Sequence, residues 1–210
     1  HDVRHERELA DQLVGVMAHA RSAPSATSPP MRGSIVKEVM RPGTGVTEWT
    51  LSNGATVVLK PTKNKEDQIL FRAVAPGGFS LASDADLIPA RAAAYVVAAG
   101  GVGQFSETTI DKMIGGRAVA VVPFIGELDE GMSGGSTPQD LELMFQLLYL
   151  RFTQPRADQT AFAAFAAQIK GLLENRAASP DVAFDQTMDT LLTGNHPRRQ
   201  PDTPETVARW

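Results

Sequence analysis

Cysteine is absent from this chain of 210 residues, which excludes disulfide bonds, cysteine-ligated metals and thiol nucleophiles. Tryptophan and tyrosine are scarce, with two of each, so a surface that stacks nucleic-acid bases is not expected. The net charge of −4 removes the electrostatic argument for a nucleic-acid partner. No apolar run reaches the ~18 residues that a membrane span requires. The most apolar stretch, residues 90–99, is short and contains Arg91.

The remaining composition is that of a globular protein, with 42% hydrophobic and 21% charged residues. The length is compatible with one or two domains. The missing cysteines are compatible with an oxidising compartment such as the periplasm. Near the end of the sequence, Thr203, Pro204 and Glu205 form a pattern that opens a helix. Because this helix is cut short, we expect the chain to be a fragment of a longer polypeptide.

Hydrophobic spacing in the first half of the sequence predicts one helix followed by strands. The predicted elements are a helix over 2–20, a linker over 21–34, a strand over 35–39, a hairpin over 49–60 and a strand over 69–75. The hairpin is centred on Asn53 and Gly54, a pair that favours a type I′ turn. Proline and two glycines at 76–78 end the last strand.

The second half of the sequence predicts mostly helices. They are expected at 87–99, where an alanine-rich run predicts a buried helix, and at 106–113, 137–152, 158–177 and 179–192. Strands are predicted at 118–122 and 125–128, separated by Pro123 and Phe124, and residues 127–135 are predicted to form a loop. The order of elements predicts an α+β fold, a mainly antiparallel sheet with helices packed on one face.

Residues 131–135 match G-x-S-x-G, which in serine hydrolases places a nucleophile on a sharp turn between a strand and a helix. Under this hypothesis Ser133 is the nucleophile and His196 the base. The orienting acid is then one of three aspartates in the last predicted helix, namely Asp181, Asp185 or Asp189. A flexible turn is the better interpretation, because the next helix begins at Thr137, four residues too late for a nucleophile elbow.

Two other histidine-containing patterns predict no site. His1 and His5 stand four residues apart and match the spacing of metal ligands on a helix, but at a chain end we expect them to be solvated. The run His196-Pro197-Arg198-Arg199 predicts an exposed basic turn between helices.

Seven segments carry a pattern that is specific only when they are taken together. They are WTLSNG at 49–54, VVLKPT at 57–62, PGG at 76–78, GGVGQFS at 100–106, GMSGGS at 131–136, DLE at 140–142 and LLYL at 147–150. In combination they resemble the pitrilysin (insulinase) family of zinc metallopeptidases. The first two resemble the strand pair that opens each homologous domain of the family. The likeness covers residues 35–205 and is specific only in combination.

This resemblance implies a parent built from four related domains, arranged as two halves of a clamshell joined by a linker. In the family only the first domain normally holds zinc, on a helix that bears H-x-x-E-H, with a further glutamate on a later helix. The two histidines bind zinc and the motif glutamate activates water.

The corresponding positions of this chain fall at Arg91, Ala94 and Tyr95, none of which is a zinc ligand or a general base. No shift of the alignment restores one, because residues 85–103 contain neither histidine nor glutamate. The resemblance therefore implies no catalytic residue, metal ligand or cofactor-binding residue in this chain. Zinc is expected in another domain of the parent, or in a partner's catalytic domain.

We predict that residues 1–45 are a helix and linker from the preceding half and that residues 46–210 are a truncated, non-catalytic domain that opens the second half. Its expected role is to help form the chamber that encloses a substrate. The implied partners are other domains of the same polypeptide or a catalytic partner subunit, and a peptide or protein substrate. Bacterial relatives imply a periplasmic or cell-envelope location. The alternative is a free-standing assembly subunit of the same fold, and a serine hydrolase comes third.

Overall fold

The computed structural model describes residues 33–210, so the predicted helix at 2–20, His1 and His5 lie outside the described residues. The chain forms two compact units. Among the described residues, the first contains 33–71, Gly116–Val121 and Gly134–Thr153, and the second contains Arg72–Gly115, Val122–Ser133 and Gln154–Trp210.

The first sheet is antiparallel and has three strands in the order β1-β2-β3. They are β1 (Ile35–Arg41), β2 (Val46–Leu51) and β3 (Thr56–Leu59). The predicted strand at 35–39 and the predicted hairpin are therefore confirmed. Strand β1 lies in residues 1–45, which were predicted to belong to the preceding half. It nevertheless pairs with β2, the first strand of the predicted domain. The domain boundary at residue 45 stays a prediction.

The turn between β2 and β3 differs from the predicted type I′ turn. Only Gly54 has a positive φ, of 86°, whereas a type I′ turn needs positive φ at both central residues. The N–H of Gly54 donates to the carbonyl of Leu51, and the N–H of Leu51 donates to the carbonyl of Ala55. Three residues therefore form the loop, with glycine in the left-handed position that this longer hairpin requires.

The second sheet has the order β4-β6-β5. Its strands are β4 (Ile69–Pro76), β5 (Ala120–Ile125) and β6 (Asp129–Ser136). The predicted strand at 69–75 is confirmed, but the break at Pro123 and the loop at 127–135 are wrong. Proline is tolerated at Pro123 because β5 lies at an edge of the sheet, where a missing N–H breaks no ladder.

The central strand β6 was predicted as a loop because of its glycines, yet the sheet requires them. A Cβ atom at Gly131 would overlap the carbonyl oxygen of Ala73, and one at Gly134 would overlap that of Ala120. Neighbouring backbones approach so closely that no side chain fits at these positions. Glycine-rich sequence therefore marks close strand packing here rather than a flexible turn.

The five helices predicted between residues 87 and 192 are all present. They are α1 (Leu87–Gly100), α2 (Glu107–Ile114), α3 (Leu141–Thr153), α4 (Gln159–Ala177) and α5 (Pro180–Leu192). Side chains that were predicted to cap α2 and α4 do so: Ser106 accepts from the N–H of Thr109, and Asp158 accepts from those of Thr160 and Ala161. The helix expected to open at Thr203 is a short 3-10 helix, Thr206–Arg209.

Each unit has its own buried apolar residues. In the first unit, Trp49, Leu141 and Met144 are buried, and the ring of Phe71 on β4 contacts that of Phe145 on α3 edge-on. In the second unit, Leu87, Val102, Ile110 and Val207 are buried, and α1 packs against α4. The fold is α+β with antiparallel sheets, as predicted. None of the helices in the described region is long and apolar enough to cross a bilayer.

Candidate functional site

The helix α1 carries the three positions that the sequence aligns with a zinc motif. Alanines favour its helical backbone, and Pro89 stands in the first turn, where its missing N–H would have had no helical partner. The helix ends at Gly101, whose positive φ of 85° leaves the helical conformation, and a Cβ at Gly100 would overlap the carbonyl oxygen of Arg156. The turn after α1 is thereby packed tightly onto the segment that leads into α4.

The three positions have different surroundings. Arg91 is half-buried, and its guanidinium donates to the carbonyl of Gln200 at 2.8 Å and pairs with Asp202 at 3.2 Å. Ala94 is buried, whereas Tyr95 is 62% exposed. The prediction of a buried helix is therefore wrong for part of α1, because the side chain of Tyr95 is largely exposed and that of Val97 is partly so.

These residues do not fit a zinc ion. A guanidinium is a cation that donates hydrogen bonds and is not a metal ligand, and the donors of Arg91 are engaged by Gln200 and Asp202. Ala94 offers no donor atom. Among residues 33–210, no group of three histidine, cysteine, aspartate or glutamate side chains is placed to hold a metal. No zinc-dependent step is therefore derived from this helix.

The predicted exposed basic turn at 196–199 is confirmed at His196, Pro197 and Arg199, whereas Arg198 is half-buried and holds the turn against the loop before α1. Arg198 pairs with Asp84 at 2.6 Å and donates to the carbonyls of Phe79 and Ala82 at 2.9 and 3.2 Å. Arg199 pairs with Glu127 at 3.1 Å. Arg198 thus ties the segment to the loop that precedes α1, an anchoring contact that the sequence pattern did not predict.

A cavity of about 170 Å³ lies between this segment and α1. Arg91, Arg198 and Arg209 line it together with Asp84 and Asp202. Two of the three arginines are already paired with the two aspartates. The lining therefore has one more arginine than aspartate, and the guanidiniums of Arg91 and Arg198 fix the protein's own backbone.

The serine-hydrolase hypothesis fails on the position of Ser133. This residue lies inside β6, not on a turn between a strand and a helix, so its hydroxyl lacks the exposed elbow that a nucleophile needs. The imidazole of His196, its proposed base, accepts at Nδ1 from the N–H of Arg198 and caps a short 3-10 helix. The aspartates Asp181, Asp185 and Asp189 lie on α5 as predicted, but no hydrogen bond in the described part of the chain joins these candidates.

One face of the second sheet is open to solvent within the second unit. The alternation of side chains along a strand places Met132, which is buried, on the opposite face. The open face carries Arg72 and Val74 on β4, Val122 and Phe124 on β5, and Asp129, Gly131 and Ser133 on β6. Sequence analysis missed this surface because it interpreted β6 as a loop.

A cluster of three side chains, Arg72, Phe124 and Asp129, occupies this open face. The guanidinium carbon of Arg72 lies 4.7 Å from the ring centroid of Phe124, and its Nη2 lies 2.9 Å from a carboxylate oxygen of Asp129. The two strands that carry Arg72 and Phe124 flank β6. Their side chains meet over Gly131, where a Cβ would lie only 3.3 Å from the Phe124 ring. A glycine on the central strand therefore makes room for the cation–π contact.

Comparison with known proteins identifies relatives among zinc proteases. No protein-family model matches the chain. A zinc protease PQQL-like protein of Arabidopsis thaliana is 38% identical over 169 residues, which are 79% of this chain and 15% of the relative. A probable zinc protease PqqL of Haemophilus influenzae is 29% identical over 119 residues, 57% of this chain and 13% of the relative.

Two solved structures share the fold. The periplasmic protease PqqL from Escherichia coli matches with a TM-score of 0.65 at 21% identity, covering 84% of this chain and 19% of that one. The ferredoxin protease FusC, solved as a mutant in complex with Arabidopsis ferredoxin, matches with a TM-score of 0.67 at 18% identity, covering 89% and 21%.

The fold and these relatives define the class of the chain as a peptidase-family domain. More particularly, the chain is a relative of the pitrilysin/insulinase family of metallopeptidases, as its sequence motifs predicted. It spans 13–15% of the length of the curated relatives that it matches, which fits one domain of a much longer protein.

Proposed function

We propose that this chain is a non-catalytic domain of a zinc metallopeptidase and helps to form the wall of a chamber that encloses the substrate. The observation that carries the proposal is the state of α1, where a hydrogen-bonded arginine, a buried alanine and an exposed tyrosine stand at the zinc-motif positions. A catalytic zinc needs about three protein ligands and an open position for water. The zinc that a peptidase relative uses is then held elsewhere in the parent or by a catalytic partner subunit.

This chain covers only a small part of each relative's length, which supports a parent protein with several domains. Because each curated relative is several times longer than the matched segment, the remaining length leaves room for a separate catalytic domain. The open face of the second sheet, which lies opposite the buried Met132, suits a wall that faces an enclosed space. The partners are then the neighbouring domains of the same polypeptide and a peptide or protein substrate.

The location that we propose is the periplasm or cell envelope. The Escherichia coli structure is that of a periplasmic protease, and the present chain contains no cysteine that an oxidising compartment would cross-link. The open reading frame around this sequence tests both the catalytic domain that we expect in the parent and the location. An H-x-x-E-H domain and an export signal upstream support the proposal, whereas a complete frame without either favours the assembly-subunit alternative.

A peptidase assay tests the non-catalytic role directly. The chain is incubated with excess zinc and a mixture of quenched fluorescent peptides, before and after addition of a chelator. We expect no chelator-sensitive cleavage, because α1 supplies neither a metal ligand nor a general base. Chelator-sensitive turnover that stays with the chain through repeated chromatography would overturn the proposal.

A further inference from the structure

We propose that the cavity between α1 and the segment after α5 binds a short aliphatic monocarboxylate, with Arg209 as the group that pairs with the carboxylate. All the residues that line the cavity belong to the second unit. The inference goes beyond the proposed function and does not rest on it, because it concerns neither zinc nor the peptidase activity of a parent protein.

The charges around the cavity leave one guanidinium without a counter-ion. Arg91 pairs with Asp202 at 3.2 Å, and Arg198 pairs with Asp84 at 2.6 Å. Arg209 lines the same cavity, and its side chain has no ion pair or hydrogen bond to any residue that the structure describes. The excess of one positive charge favours a ligand that carries one negative charge.

The backbone that carries Arg209 is held in place on both sides. Arg209 is the last residue of the 3-10 helix Thr206–Arg209, in which Val207 is buried. The ring of Trp210, the next residue, contacts the ring of Phe165 on α4 with their centroids 6.0 Å apart. Binding therefore costs mainly the freedom of one exposed side chain, because the backbone around it is already ordered.

The cavity has room for a short apolar body behind the carboxylate. Its apolar lining consists of Leu87 and Ile88 on the first turn of α1, and of Pro197 and Pro201 in the segment after α5. The volume is about 170 Å³. Because a cavity of ~150 Å³ holds a benzene molecule, a ligand of about six or seven non-hydrogen atoms fits this volume. Butyrate and isovalerate have this size.

Other small anions match the cavity less well. Inorganic phosphate has no apolar part, so it would leave Leu87 and Ile88 in contact with trapped water. Acetate carries the right charge but fills only part of the volume. A planar carboxylate also matches the forked N–H groups of a guanidinium, with which it forms two parallel hydrogen bonds. Binding therefore requires the charge and the aliphatic body together.

The test measures thermal unfolding of the full 210-residue chain by circular dichroism at neutral pH, with sodium isovalerate as the probe. A ligand that binds only the folded chain raises Tm as its concentration rises. For a ligand of this size we expect a Kd on the order of 1 mM. At about 20 mM, isovalerate should raise Tm by about 4–7 °C relative to sodium chloride at the same ionic strength. Acetate, phosphate and uncharged isovaleramide should each raise Tm by less than about 1 °C.

Two variants separate the cavity from general effects of charge. Arg209→Gln should make the rise in Tm with isovalerate at least about threefold smaller, because it removes the charge that strengthens the hydrogen bonds. Arg176→Gln is the matched control and should leave the rise unchanged. Arg176 on α4 is also exposed and without an ion pair among the described residues, but it lies outside the lining of the cavity. The Tm of each variant without ligand shows whether it folds.

Three results would each overturn the inference. One is no rise in Tm with isovalerate. Another is a rise of the same size with acetate, phosphate or isovaleramide, which would indicate an adventitious ion only or an apolar additive only. The last is an equal loss of the rise in Arg209→Gln and Arg176→Gln. None of these results affects the peptidase assay of the proposed function.

Discussion

Replacing Arg198 by alanine tests whether the segment after α5 is anchored as the structure shows. The guanidinium joins this segment to the loop before α1 through Asp84 and two backbone carbonyls. Its side chain is only 27% exposed. The variant removes this donor from the carbonyls of Phe79 and Ala82, which are part-buried. We expect the loss to destabilise the fold around the start of α1.

The size of the effect follows from the three contacts. The ion pair with Asp84 contributes little, about 0–1 kcal/mol, because the aspartate is largely exposed. Each hydrogen bond from the guanidinium to a part-buried carbonyl contributes about 1 kcal/mol. The sum is a loss of about 2 kcal/mol in the free energy of unfolding, which for a chain of this length lowers Tm by about 4–8 °C.

The assay is thermal and urea unfolding followed by circular dichroism. Arg199→Ala is the matched control, because Arg199 is adjacent in sequence, 57% exposed and pairs with a half-exposed glutamate. We expect it to cost less than about 1 kcal/mol. Arg198→Lys should fall between the two, because lysine keeps the charge but cannot reach three acceptors with a planar fork. Equal losses for Arg198→Ala and Arg199→Ala would refute the anchoring role.

Three further predictions concern the sheet, a helix and its cap. Gly131→Ala should cost at least about 2 kcal/mol in urea unfolding, since its Cβ would overlap the carbonyl oxygen of Ala73, and a neutral result would contradict the strand packing. Gly171→Ala should instead stabilise the chain by about 0.5–1 kcal/mol, because nothing lies near its Cβ on α4. The N–H of Ala161 and desolvation act on Asp158 in opposite directions, and the net pKa of its carboxyl is lowered. Asp158 therefore stabilises the fold above its ordinary pKa, and this stabilisation is lost as the pH falls through the lowered pKa. Asp158→Asn should remove this pH-dependent part of the free energy of unfolding, as measured in an acid titration.

The helices could be predicted from the sequence because their capping residues act on backbone groups only two or three residues away. Ser106 and Asp158 are side chains whose capping role depends only on the next three residues, and both form the expected hydrogen bonds. The first hairpin was predicted for the same reason, although its turn takes three residues rather than two.

The second sheet could not be predicted in full because its strands contain residues that locally disfavour strands. Pro123 is tolerated by an edge position, and Gly131 and Gly134 are required by neighbours that are distant in sequence. Both properties depend on strand order, which spacing alone does not reveal. The open face, and with it the Arg72 cluster, was missed for that reason.

The sequence predicts that ligands are missing from the candidate site, but it does not predict how the residues there are arranged. The absence of ligands at Arg91, Ala94 and Tyr95 is visible in the sequence, but the contacts that replace them are not. Arg91 reaches Asp202, more than a hundred residues later in the chain, and Arg198 reaches Asp84 over a similar separation. Such pairings depend on the tertiary fold, so only the structure reveals them.

The central claim, that this chain holds no catalytic zinc, is tested most directly by metal stoichiometry. The chain and its His1→Ala/His5→Ala variant are loaded with zinc, passed through a desalting column and analysed by elemental mass spectrometry. We expect well under one zinc per chain in the double variant, because α1 offers no ligand set. One tightly held zinc per chain that persists without His1 and His5 would contradict it.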